Sequence, residues 1–173
     1  MQKIITKKFV IPISVLGLVG MLVAYSVVLA GTTATVTATV TVQNISLSVA
    51  DGSAAYGVLG SNTTKSTCTS ELNDAQTVTN DGNVAENFNI EGQNSANWTL
   101  AATAGSDQYV QKFATSTCST FSGGTALTTS YATAATNVAA SATSTLNLQI
   151  NTPNPSTVYT QQSVDVTITA VQQ

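Results

Sequence analysis

The chain has 173 residues, room for one domain or one domain plus a targeting segment. It holds no histidine and no arginine, and only 8% of it is charged. That excludes the basic patch a nucleic-acid partner needs, and it removes the imidazole on which most nucleophilic and acid–base sites depend.

Lys3, Lys7 and Lys8 precede an uncharged run from Phe9 to Ala30. A basic start, an apolar centre and Val28-Leu29-Ala30 predict a secretory signal cleaved after Ala30. The run is 22 residues long, whereas the usual apolar core is about 7–15 and roughly 20 cross a bilayer. A retained membrane anchor is therefore the alternative, and the only way in which a membrane becomes a partner. In both cases the rest is exported. From Gly31 onward, two lysines stand against eight acidic residues, a net charge of −6, and threonine supplies 29 of 143 residues. So few charges scarcely oppose close packing of copies, which suits a surface protein better than a cytosolic enzyme.

Residues 31–43 come next. In Thr32–Val42, Ala34, Val36, Ala38, Val40 and Val42 alternate with threonine, the period of a strand with one buried face. Both threonine and valine suit a pleated surface. After Gln43-Asn44 the apolar set changes parity to Ile45, Leu47 and Val49. One strand cannot serve both sets, so a bulge, a crossing or a change of sheet is expected there. The new N-terminus, the small regular apolar set and the hinge suggest that this strand leaves its own domain. It would insert into the next copy of the chain, with Ala34, Val36, Ala38, Val40 and Val42 as the assembly residues. Pairing within its own domain is the alternative.

Residues 44–173 read as a β-sandwich domain. Asp51-Gly52 is a turn, followed by a short segment Ala55–Leu59 and a polar stretch Gly60–Ser70. Ala75–Thr79 is a short strand, and Asn80-Asp81-Gly82-Asn83 a turn of residues that tolerate positive φ. Val84, Phe88 and Ile90 alternate with polar residues, and Glu86 falls on their parity, so it must be paired or near an edge. Trp98, Leu100 and Ala102 form the next inward set, with Trp98 expected as the largest core side chain. Tyr109, Gln111 and Phe113 share a face. Weak strands are expected at Ala126–Thr129 and Ala135–Ala139. Clear ones carry Leu146, Leu148 and Ile150, and Val164, Val166, Ile168 and Ala170. Eight to eleven short strands without a sustained helical period imply an antiparallel β-sandwich of jelly-roll or immunoglobulin-like topology.

Cys68 and Cys118 are the only cysteines. In an exported chain such a pair usually forms a disulfide; two free thiols are the alternative. Two cysteines without histidine cannot fill a tetrahedral zinc shell. Asp81–Glu86 could offer oxygens to Ca²⁺ but reads better as a hairpin turn. Glu86 with Glu91, or Asp74 with Asp81, could serve a glycosidase but fit solvated strand ends equally well. No catalytic residue, metal site or cofactor is expected. Asn44, Asn62 and Asn97 each open an Asn-x-Ser/Thr acceptor pattern. Tyr56, Trp98, Tyr109, Phe113, Phe121, Tyr131 and Tyr159 could in part form a carbohydrate platform, though such residues are more often core.

The run Leu72–Ile90, in which a polar stretch leads into a strand, an Asn-Asp-Gly-Asn turn and an alternating strand, resembles exported biofilm-fibre subunits of the TasA/camelysin type. So does a signal followed at once by a strand. The resemblance covers residues 72–100 and the N-terminal organisation, and the chain departs from it in its cysteine pair and scarce lysine. It implies a jelly-roll subunit that polymerises head-to-tail by donating its N-terminal strand. The expectation is therefore a structural subunit of an extracellular filament or surface layer whose partner is itself. A monomeric adhesion or ligand-binding module, secreted or anchored, is the alternative.

Overall fold

The computed structural model describes residues 33–173; the expected signal or anchor at 1–30 lies outside them. The chain divides into two units, Met1–Val40 and Thr41–Gln173. In the first, Thr33–Val40 forms no strand and all its residues are exposed.

The second unit is all-β. In chain order its strands are β1 (Leu47–Val49), β2 (Thr64–Ser66), β3 (Gln76–Asn80), β4 (Glu86–Glu91), β5 (Thr99–Leu100), β6 (Gln108–Ala114), β7 (Thr125–Ala126), β8 (Ala132–Val138), β9 (Thr143–Asn151) and β10 (Thr167–Gln172). One sheet runs β1-β3-β9-β6-β5, with β2 also on β9 and β7 on β6; the other runs β10-β4-β8. The two pack as a sandwich. Pairing is antiparallel except between β5 and β6, which are parallel.

Alternation explains the core. Val78, Phe88, Ile90, Phe113, Leu146 and Leu148 bury their side chains between the sheets, while residues such as Asn87 and Asn89 stay partly exposed on the outer face. Where the three-stranded sheet gives no cover, half-buried Tyr56 from the loop after β1 approaches Gln111. Burial drives the Tyr56 hydroxyl above its ordinary pKa, and the negative charge of Asp74 adds to this. Ala55–Leu59 is therefore a covering loop and forms no strand.

Trp98 is not the largest core side chain. Tyr109 and Phe88 are fully buried, whereas Trp98 is half-exposed, tilted against Tyr109 at 6.4 Å, with its Nε1 donating to Ser156 Oγ at 3.1 Å. It precedes a two-residue edge strand, and its indole N–H needs a polar partner. Cys68 and Cys118 are joined, with Cα atoms 5.2 Å apart. The loop they tie carries more burial than its polar sequence suggests. Ser66, Thr67 and Cys68 are wholly inaccessible, and Thr67 Oγ1 donates to Asn147 Oδ1 on the outer face of β9.

Candidate assembly surface

The five expected assembly residues stand along an unpaired segment. Val36 is 93% exposed, Val40 91% and Val42 80%, and Ala34 and Ala38 are exposed as well. The strand expected at Thr32–Val42 has thus no partner within the described residues.

The segment is anchored just after Val42. Asn83 Nδ2 donates to the Val42 carbonyl at 2.8 Å, and Asn83 Oδ1 accepts the Asn44 N–H at 2.8 Å. The Asn83 N–H donates to the Asn44 carbonyl at 3.2 Å. Two residues on, the Ser46 N–H donates to Glu86 Oε1 at 2.9 Å and the Ser46 carbonyl accepts the Asp81 N–H at 2.8 Å. Only then does β1 pair with β3, with Leu47 opposite Asn80. The parity change at Gln43-Asn44 is therefore a passage from exposed chain to sheet edge across a polar clamp.

The Asn80–Asn83 turn works differently from expectation. Gly82 does not adopt positive φ. Its N–H donates to Asn80 Oδ1 at 2.8 Å, while Asn80 Nδ2 reaches the carbonyls of Val84 and Val138, each at 2.8 Å. A Cβ on Gly82 would strike Glu86 Oε1 and come within 2.5 Å of the Asn44 carbonyl. Glycine is needed here for close approach. Glu86 is wholly buried beneath it, paired through Oε1 as its parity required, while Oε2 has no partner.

Opposite this clamp the sandwich is open. The β3–β4 and β8–β9 corners lie side by side, bridged by Asn80 N–H to the Ala142 carbonyl at 2.9 Å and by Asn80 Nδ2 to Val138. From that shared corner β8 pairs only with β4, and Thr143–Leu146 of β9 pairs only with β3. Their other edges both face away from it, with no strand partner among the described residues. A residual apolar slot of about 10 Å³ lies between the sheets here, lined by Phe88, Ala134, Ala135, Ser144, Leu146 and Ile168. Among the described residues the outer edges of β1 and β10 are also unpaired; β10 reaches the slot through Ile168, and β1 does not.

A second concavity, of about 170 Å³, lies on the outer face of the larger sheet, lined by Thr64, Thr103, Val110, Lys112, Gln149 and Asn151. Asn151 Oδ1 there is buried without a partner. The paired-carboxylate candidates do not assemble: Glu86 and Glu91 lie five positions apart on one strand and so point to opposite faces, and Asp81 is exposed while Asp74 accepts from Gln76 Nε2 at 3.2 Å. The aromatic platform does not form either, because Tyr109 and Phe113 are core and only Tyr131 and Tyr159 are largely exposed. Asn83, Ala134, Ala135 and Ser144 escaped the sequence reading, since strand order decides which residues flank an open edge.

Comparison with family models, with curated proteins and with solved structures finds no match to this chain.

Proposed function

We propose that this chain is a structural subunit of an extracellular filament or surface layer that assembles by N-terminal strand donation. One observation carries the reading. A stretch with the side-chain alternation of a strand, Thr33–Val42, is unpaired and exposed, in a chain whose sandwich leaves two strand edges open on either side of an apolar slot. Unpaired edges expose backbone N–H and C=O groups, and a neighbour's extended segment satisfies them with a ladder while its alternate side chains set the register. The slot, of about 10 Å³, takes no side chain as it stands, so accepting a donor strand requires β8 and the Thr143–Leu146 part of β9 to move apart. Each copy gives one strand and accepts one, so the contact is head-to-tail and does not close. The partner is a second copy of the chain. The disulfide accords with an exported protein, and the resemblance to TasA/camelysin-type fibre subunits points the same way.

Negative-stain microscopy of native surface material should show fibres. Deleting Gly31–Gln43 should abolish them, and Ser144→Lys, which places a charge in the slot, should do the same. Fibres from the deletion variant would overturn strand donation. Fibres from Ser144→Lys, with the deletion variant inert, would overturn only the place of acceptance.

A second reading, a monomeric adhesion or ligand-binding module, draws on the outer cleft, where Lys112 and the unpartnered Asn151 Oδ1 could meet a small polar ligand. Native material that stays monomeric at high concentration would favour it.

A further inference from the structure

We infer that Asn62 is a site of N-linked glycosylation. The inference rests on export alone and stands apart from strand donation. Asn62-Thr63-Thr64 has the acceptor amide, a non-proline middle residue and the hydroxyl two positions on. The fold displays it: Asn62 and Thr64 are both exposed. The backbone around Asn62 is fixed, with its N–H donating to the Pro153 carbonyl at 3.1 Å and the Thr63 N–H to Thr152 Oγ1 at 2.9 Å, while among the described residues its side-chain amide makes no hydrogen bond. A glycan on Nδ2 would therefore cost the folded domain no contact.

The other two acceptor patterns differ. Asn97 Nδ2 already donates to Gln162 Oε1 at 3.3 Å, and Asn44, exposed like Asn62, sits at the root of the proposed donor segment, where its backbone is held by Asn83 and a glycan would crowd the donated strand. Asn62 lies far from the proposed contact. Thr64 pairs with Asn151, and the slot residue Ser144 is seven positions back along β9, roughly 23 Å at about 3.3 Å per residue. A glycan there leaves the acceptor edges uncovered.

The chemistry is a glycosyl transfer from a polyprenyl-(pyro)phosphate-linked oligosaccharide during export. The Asn62 Nδ2 bonds to the anomeric carbon, the bond from that carbon to the phosphate oxygen breaks, the lipid (pyro)phosphate leaves with the electron pair, and the amide proton passes to a base of the transferase. Asparagine at this position also has a purely conformational reason, because its φ of 53° lies in the left-handed region that asparagine tolerates. The test must therefore spare the turn.

Peptide mapping of the native protein should find a glycan mass on the Asn62 peptide. In the same organism Thr64→Ala, which leaves Asn62 in place, should remove it, and Thr64→Ser should restore it. An unmodified Asn62 in native material, glycan only at Asn44 or Asn97, or a glycan that survives Thr64→Ala would each overturn the inference.

Discussion

Thr33–Val42 and β9 carry the same pattern and meet opposite fates. Each alternates polar with apolar residues, yet β9 is bonded to β3 and β2 on one side and, from Asn147 on, to β6 on the other, while Thr33–Val42 has no strand partner among the described residues. Leu146 is 3% exposed and Leu148 7%, against 93% for Val36. Side-chain size separates them. A buried valine, leucine, isoleucine or phenylalanine gains about 1.5–3 kcal/mol, whereas fixing one residue's backbone costs about 1–2 kcal/mol. Leucines at alternate positions offset that cost on one sheet face. In Thr33–Val42 the valines alternate with Ala34 and Ala38, whose small side chains gain less, so the segment offsets the cost only when a neighbour supplies both backbone edges and apolar cover. Period 2 shows that a strand has a face; it does not show which molecule covers that face.

The widest separation between the two regions should come from single substitutions. Phe88, fully buried in the core, should cost about 3–5 kcal/mol as Phe88→Ala. Val40→Asp should move the monomer's stability by less than about 0.5 kcal/mol while blocking assembly. Denaturant unfolding of the monomer measures both. A Val40→Asp monomer that melts markedly lower would place the segment in its own core and end the contrast. Next comes the disulfide: reducing Cys68–Cys118 should remove about 2–4 kcal/mol without touching Thr33–Val42. Unchanged stability would mean that the hydrogen bonds of this loop, such as the Thr67 N–H to the Leu148 carbonyl and the Leu148 N–H to Thr67 Oγ1, hold it without the bridge.

Much of the sandwich was legible because its strands bury large residues at period 2. Val78, Phe88 with Ile90, and Leu146 with Leu148 are core as their parity requires. The Cys68–Cys118 bond followed from the expected export and from there being two cysteines. Trp98 misled because its position beside a two-residue edge strand cannot be read from hydropathy. The open edges were invisible: that Thr143–Leu146 has one bare flank depends on where β6 ends against β9. The clamp at Asn83 was equally hidden, since it joins residues about 40 positions apart and asparagine in a turn already has a local explanation.

That clamp separates the sandwich from the exposed segment, and Asn83→Ala should sharpen the boundary. Two side-chain hydrogen bonds would go, at a cost of about 1 kcal/mol. Amide exchange at Asn44 and Ser46 should quicken while β9 amides stay protected. Slow exchange at Asn44 in the variant would show that the backbone bonds from Asn83 and Asp81, with Glu86, hold the passage without the Asn83 side chain.

The smallest expected effect concerns a second segment without strand pattern that a polar side chain keeps in place. Asp107 accepts from the Thr157 hydroxyl at 2.6 Å, the Thr157 N–H at 2.7 Å and Ser156 Oγ at 3.1 Å. These bonds, the Thr157 hydroxyl foremost, hold the carboxyl below its ordinary value of 3.8. A carboxyl whose pKa is lower folded than unfolded stabilises the fold above the unfolded value, and that contribution is lost as pH falls through the folded one. Acidification from neutral to below about pH 4 should thus loosen Ser156–Val158. Asp107→Asn tolerates the left-handed φ of 51° and keeps one acceptor oxygen for the Ser156 hydroxyl and the Thr157 N–H, while its amide replaces the oxygen that accepts the Thr157 hydroxyl, so it removes the titration together with one acceptor. The difference in melting temperature between wild type and Asp107→Asn should be positive at neutral pH and shrink toward zero in acid. A difference that stays constant with pH would mean that geometry, not charge, holds this loop, as it does at Asn83.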